Sequence, residues 1–131
     1  MTNDQPTKRS IPHPNIPPLF KVDGMVPGGL LRIQTPLEMT DGSLIDVYYG
    51  QRDDGTCYVS DLGEADNWIF LLGKRTRGQK SCVEACEADL IEGEIVRNVD
   101  PVEGDAVAIF CVAMAVYCMT RDTIEEPTNG E

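Results

Sequence analysis

Two Asp-Gly dipeptides, Asp41-Gly42 and Asp54-Gly55, constrain the fold more than any other feature of this chain. Asp-Gly admits the positive φ of a tight hairpin at little cost. Each dipeptide separates runs rich in β-branched and aromatic residues. Leu30, Leu31, Ile33 and Leu37 surround Arg32 and Gln34, which reads as a strand ending near Thr35-Pro36. In Leu44 to Tyr49, the residues Ile45, Val47 and Tyr49 alternate with Leu44, Asp46 and Tyr48, and Thr56 to Ser60 follows the second turn. Three strands joined by two short turns predict an antiparallel meander.

Helices are expected after the meander. Ser60 or Asp61 suits an N-cap, and Glu64 stands where a capping box needs it. The predicted helix lines Trp68, Leu71 and Leu72 along one side, adds Ile69 and Phe70, and stops at Gly73. Ser81 with Glu84 predicts a short helix through Ala88, and Leu90 to Val99 alternates around Gly93 as a strand or bent pair. Asp100, Pro101 and Glu103 read as N-cap, N1 and N3 of a long helix over 101–121. From Ala106 onward that helix is apolar on all sides and must be covered all round, by the sheet and other elements or by a second subunit. Phe110→Ala is expected to cost about 3–5 kcal/mol if that side chain is fully buried. The fold class is therefore α+β: a small antiparallel three-stranded meander plus a further strand or hairpin, packed against two main helices.

Length and composition set the frame. At 131 residues the chain is sized for one domain, with 41% hydrophobic residues to supply a core. Residues 1–18 hold five of the nine prolines and are expected to form a disordered arm; 19–122 form the α+β domain, and 123–131 an acidic flexible tail. The longest uncharged apolar run, Ala106 to Met119, is shorter than the roughly 20 residues a membrane span needs. No segment reads as a signal peptide.

Charge and cysteine narrow the function. Eleven Lys and Arg against 22 Asp and Glu leave a formal charge of −11, which argues against stable binding of nucleic acid or anionic lipid. The single histidine, His13, stands in the proline-rich arm, a poor place for an imidazole that must sit rigidly beside a nucleophile. Cys57, Cys82, Cys86, Cys111 and Cys118 contain no Cys-x-x-Cys pair, so they read as small apolar thiols in a reducing, cytoplasmic setting rather than as zinc ligands.

The stretch from Ile33 to Leu72 resembles the DUF1828 family of bacterial, archaeal and phage proteins. The matching residues are Ile33-Gln34-Thr35-Pro36, Asp41-Gly42, Ile45-Asp46-Val47-Tyr48, Tyr58 to Glu64, and Trp68. The family often carries a helix before its first strand, where this chain has the proline-rich arm. The resemblance implies fold and prokaryotic or viral origin; it supplies no catalytic residues.

Four constellations are candidates for function. Glu38, Asp41, Asp46, Asp61 and Glu64 include the carboxylates Asp41, Asp46 and Asp61 that a Mg²⁺-dependent nuclease or phosphodiesterase would gather, although turn and cap chemistry also explain them and the expected lysine is missing. Lys74, Arg75, Arg77 and Lys80 form a basic loop for partner contact, with a solvated loop tip as the other reading. Glu84, Glu87, Glu92, Glu94, Glu103 and Asp105, with Asp89 and Asp100, form an acidic stretch in which Arg97 is the only cation. Along one edge these carboxylates would offer a polyanion-like face to a basic protein partner; dispersed, they only solubilise. The long helix, with Gly104 and small residues Ala106, Ala108, Ala113 and Ala115, serves as an intrachain core or a homodimer seam. The leading expectation is a non-catalytic protein-interaction module without a cofactor. Its most concrete form is a phage or mobile-element inhibitor or accessory factor of bacterial defence.

Overall fold

The computed structural model of the chain describes residues 14–76, 79–121 and 123–125. Its centre is a six-stranded antiparallel sheet ordered β1-β2-β3-β4-β7-β6, formed by β1 (Lys21–Val26), β2 (Leu30–Glu38), β3 (Leu44–Gln51), β4 (Cys57–Ser60), β6 (Asp89–Ile91) and β7 (Glu94–Asn98). The helices are α1 (Glu64–Leu71), α2 (Gln79–Ala85) and α3 (Asp105–Arg121), and β5 (Lys74–Thr76) pairs with β8 (Thr123–Glu125) in a separate ribbon. The class is α+β.

Both Asp-Gly turns close by the same chemistry. Asp41 Oδ1 accepts from the Ser43 amide at 2.9 Å, and Asp54 Oδ1 accepts from the Thr56 amide at 2.9 Å. The following glycines, Gly42 and Gly55, carry φ of 89° and 93°. Register then places Ile33 against Val47, and Tyr49 against both Leu31 and Val59. The β2–β3 ladder slips between Gln34 and Glu38, where Pro36 has no amide to give.

Alternation sends Ile33, Ile45, Val47, Tyr49, Val59 and Ile95 into one core, which α3 covers with Ala108, Ile109, Val112, Ala113, Ala115, Val116 and Met119. The alanines on that side let the helix lie close to the sheet.

Several elements differ from the sequence reading. The sheet is larger than a meander with one added strand or hairpin, because residues 21–26 supply an edge strand, kinked where its register shifts around Gly24. The first helix begins at Glu64 with Gly63 as its N-cap, and no side chain caps it at that position. Its buried residues are Ala65 and Ile69, whereas Phe70, Leu71 and Leu72 are exposed. Ser81 lies inside α2 rather than at its cap.

The long helix starts at Asp105, not Pro101. Asp100 Oδ1 instead accepts from the Val102 amide at 2.7 Å and closes a separate turn. Nor is α3 covered all round: Phe110 is 48% exposed and Val107 is also open. The basic loop is partly a strand, β5. Residues 123–125 of the expected tail form its partner, while 126–131 lie outside the described residues. Of the proline-rich arm, residues 14–18 are described: Pro14 is buried and the Asn15 amide donates to Asp105 Oδ2 at 3.1 Å. Among the described residues no helix is long and apolar enough to cross a membrane.

Candidate functional site

The sequence Ser60-Asp61-Leu62-Gly63 leads from β4 to a concavity that Leu62 and Gly63 line. Leu62 and Gly63 both take positive φ, 57° and 77°, so the chain turns abruptly from β4 into α1. Asp61 holds that turn. Fully buried, it accepts from the amides of Gly63 at 2.8 Å, Ala65 at 3.0 Å and Ile95 at 2.9 Å. The last of these bonds ties the turn to β7. Ser60 Oγ accepts from the Leu62 amide and donates to Glu94 across the sheet.

Beside this turn α1, the β6–β7 hairpin and the first residue of α2 enclose an open groove of about 460 Å³. Asp66, Glu92 and Glu94 bring three carboxylates to it, and Lys74 one ammonium. Gln79 Nε2 donates to Asp66 Oδ1 at 3.2 Å. Glycine is needed at Gly93: its φ is +84°, and a Cβ there would meet Asp66 Oδ2 at 3.0 Å. The apolar side of the groove is Ile69, Leu62 and Phe70, and Phe70 is 76% exposed. Among the described residues no serine, threonine, cysteine, histidine or tyrosine lines it. It is equipped to hold a cationic, partly apolar group.

The three carboxylates considered for metal binding are used separately. Asp41 closes the β2–β3 turn and accepts weakly from Trp68 Nε1 at 3.4 Å. Asp61 is spent on backbone amides. Asp46 lies on the face of the sheet opposite α3, where its Oδ1 and the Nε of Arg32 are buried without hydrogen-bond partners. Arg32 pairs with Asp23 at 3.4 Å, and Glu64 accepts from the Tyr48 hydroxyl at 2.8 Å instead of completing a capping box. Among the described residues no group of three or more His, Cys, Asp or Glu side chains is placed to hold a metal ion.

Burial lifts the carboxyl groups of Asp61, Asp46 and Glu64 above the ordinary carboxylate range, against the pull of the amides on Asp61, of Arg32 on Asp46 and of Tyr48 on Glu64. The folded chain thus keeps protons that the unfolded chain releases as pH rises above about 4. Stability is expected to fall with rising pH across that window, and self-repulsion of the acidic surface acts in the same direction. Asp41 and Asp54 are lowered by hydrogen bonds from Ser43 and Thr56, so their opposite effect lies below the ordinary range. The urea midpoint is predicted to be higher at about pH 5 than at about pH 7.5, with a smaller difference in Asp46→Asn. A midpoint that climbs over this interval contradicts the assignment.

The acidic stretch does not form one uninterrupted edge. Arg97 binds Glu87 at 3.4 Å and also engages Glu103, so two of the carboxylates meet a cation. Glu84 pairs with Lys80 at 3.6 Å within α2, which also takes Lys80 out of the supposed basic loop. Asp105 accepts from the Tyr49 hydroxyl at 2.9 Å. Glu92 and Glu94 are the two that reach the groove. From the basic loop, Lys74 also reaches it; Arg75 belongs to β5, and Arg77 lies outside the described residues. Asp66, Asn67 and Phe70 were missed by the sequence reading. A signal for Phe70 was the run Trp68 to Leu72: five consecutive apolar residues cannot all face inward from one helix, and Phe70, Leu71 and Leu72 stay exposed.

Comparison with known proteins yields no family model, no curated protein and no solved structure that matches the chain. The DUF1828 resemblance therefore rests on the sequence motifs alone.

Proposed function

We propose that this protein is a non-catalytic recognition module whose groove takes a basic, partly apolar segment of a protein partner. The observation that carries the reading is the joining, in one concavity, of Asp66, Glu92 and Glu94 with the exposed ring of Phe70. An arginine or lysine side chain fits such a surface in both parts. Its methylene stem covers the ring, and its cationic head meets the carboxylates. The net charge of −11 draws basic partners from a distance and turns nucleic acid away. An inhibitor or accessory factor of bacterial defence, carried by a phage or mobile element, is the form of this role that the DUF1828 resemblance supports.

The reading is tested by calorimetric titration with a short peptide alternating arginine and leucine, at increasing salt. Binding that weakens as salt rises and is lost in Asp66→Lys is expected, because screening and charge reversal both remove the attraction. Affinity indifferent to salt, or unchanged in Asp66→Lys, rules out the groove.

A further inference from the structure

Four of the five cysteines lie on or next to the two helices that pack together, α2 and α3: Cys82 on α2, Cys86 just after it, and Cys111 and Cys118 on α3. None is disulfide-bonded. The sulfurs of Cys86, just beyond the end of α2, and Cys118 lie in contact at 3.7 Å. A disulfide requires about 2.05 Å, so roughly 1.7 Å of approach separates the pair from bonding. The helix that has to move is short, seven residues with Val83 as its buried anchor. A shallow cleft beside it, lined by Cys86, Cys111, Phe110 and Met114, gives a small reagent access to Cys86.

From this geometry we infer that Cys86 and Cys118 are an oxidation site, closed to a disulfide by hydrogen peroxide. In the first step the Cys86 sulfur, the one the cleft reaches, attacks one peroxide oxygen. The O–O bond breaks, and the departing hydroxide takes the thiol proton to leave as water, giving a sulfenic acid. The Cys118 sulfur then attacks the Cys86 sulfur; the S–O bond breaks and a second water leaves with the Cys118 proton. Two thiols lose two electrons in all and one peroxide is reduced to two waters. The order of attack follows from access, since the cleft reaches Cys86; burial pushes the Cys86 thiol up to about 12, so the first step is slow at neutral pH.

The bond would staple α2 to α3. Because Gln79 at the opposite end of α2 bonds Asp66 in the groove, the staple would also fix that wall. This consequence rests on the recognition reading, whereas the cross-link does not.

The full chain is treated with hydrogen peroxide, blocked with iodoacetamide and mapped by mass spectrometry without reduction. The expected product is a monomer two mass units lighter before blocking, in which the Cys86 and Cys118 peptides are joined, with a Tm higher by roughly 10 °C. Cys118→Ser loses the cross-link and the Tm shift, while Cys82→Ser retains both. Cys86 and Cys118 recovered alkylated, carried to sulfinic acid without joining, or bonded to Cys82 or Cys111 would overturn the inference. Peptide binding measured on the oxidised and reduced forms reads the groove separately, so failure of one proposal leaves the other standing.

Discussion

Asp61→Ala is expected to destabilise the chain by about 3–5 kcal/mol, the largest effect of any single polar substitution considered for this fold. The substitution removes one acceptor from three backbone amides, those of Ala65 and Ile95, which are buried, and that of Gly63, which is part-buried. Each amide left unpaired costs roughly 1–3 kcal/mol. An ordinary N-cap loses about 1 kcal/mol on the same change, so the size of the effect separates the two roles. Asp61→Asn should cost less, since it retains one oxygen acceptor and relieves the burial of a charge. Urea denaturation of the three proteins measures both. A loss below about 1 kcal/mol in Asp61→Ala would mean that water reaches the turn and that Asp61 serves as a simple cap.

The second large effect separates two neighbours on α3. Ile109 is completely buried against the sheet, and Phe110, the next residue, is 48% exposed. Ile109→Ala is therefore predicted to cost about 2–5 kcal/mol, the usual range for emptying a packed core position. Phe110→Ala should cost clearly less than Ile109→Ala, because about half of the Phe110 side chain already lies in water. Chemical denaturation with matched slopes decides the matter. Equal losses at the two positions would show that Phe110 is covered in solution and that α3 has a second packed side.

The same pair shows where the sequence could be read and where it could not. Periodicity along 106–119 is nearly absent because every residue there is apolar, so nothing in the sequence distinguishes Ile109 from Phe110. Only the sheet does, by covering one side. The strands β2, β3 and β4 were legible because Asp41-Gly42 and Asp54-Gly55 specify turns locally, through side chain and φ. The edge strand β1 was not, because Lys21–Val26 contains Gly24 and owes its extended form to pairing with β2. Asp61 was recognised as a residue that accepts from helix amides, and it does accept from Ala65. Its third bond, to Ile95, joins residues 34 apart, which no local pattern encodes. The groove was harder still, since Asp66 and Glu94 come from separate elements and meet only once α1 and the β6–β7 hairpin are folded together. Charge counting found the acidic stretch but not its division, because the counter-charges of Arg97 and Lys80 become partners only through the fold.

Chemical-shift mapping of the uniformly ¹⁵N-labelled chain against the arginine–leucine peptide tests the recognition account most directly. The account predicts that the amides of Asp66, Asn67, Phe70, Gly93 and Glu94 shift together and saturably, while those of Asp41 and Asp54 stay in place. Shifts that spread evenly over all acidic residues, or that leave the α1 and β6–β7 amides unmoved, would contradict it.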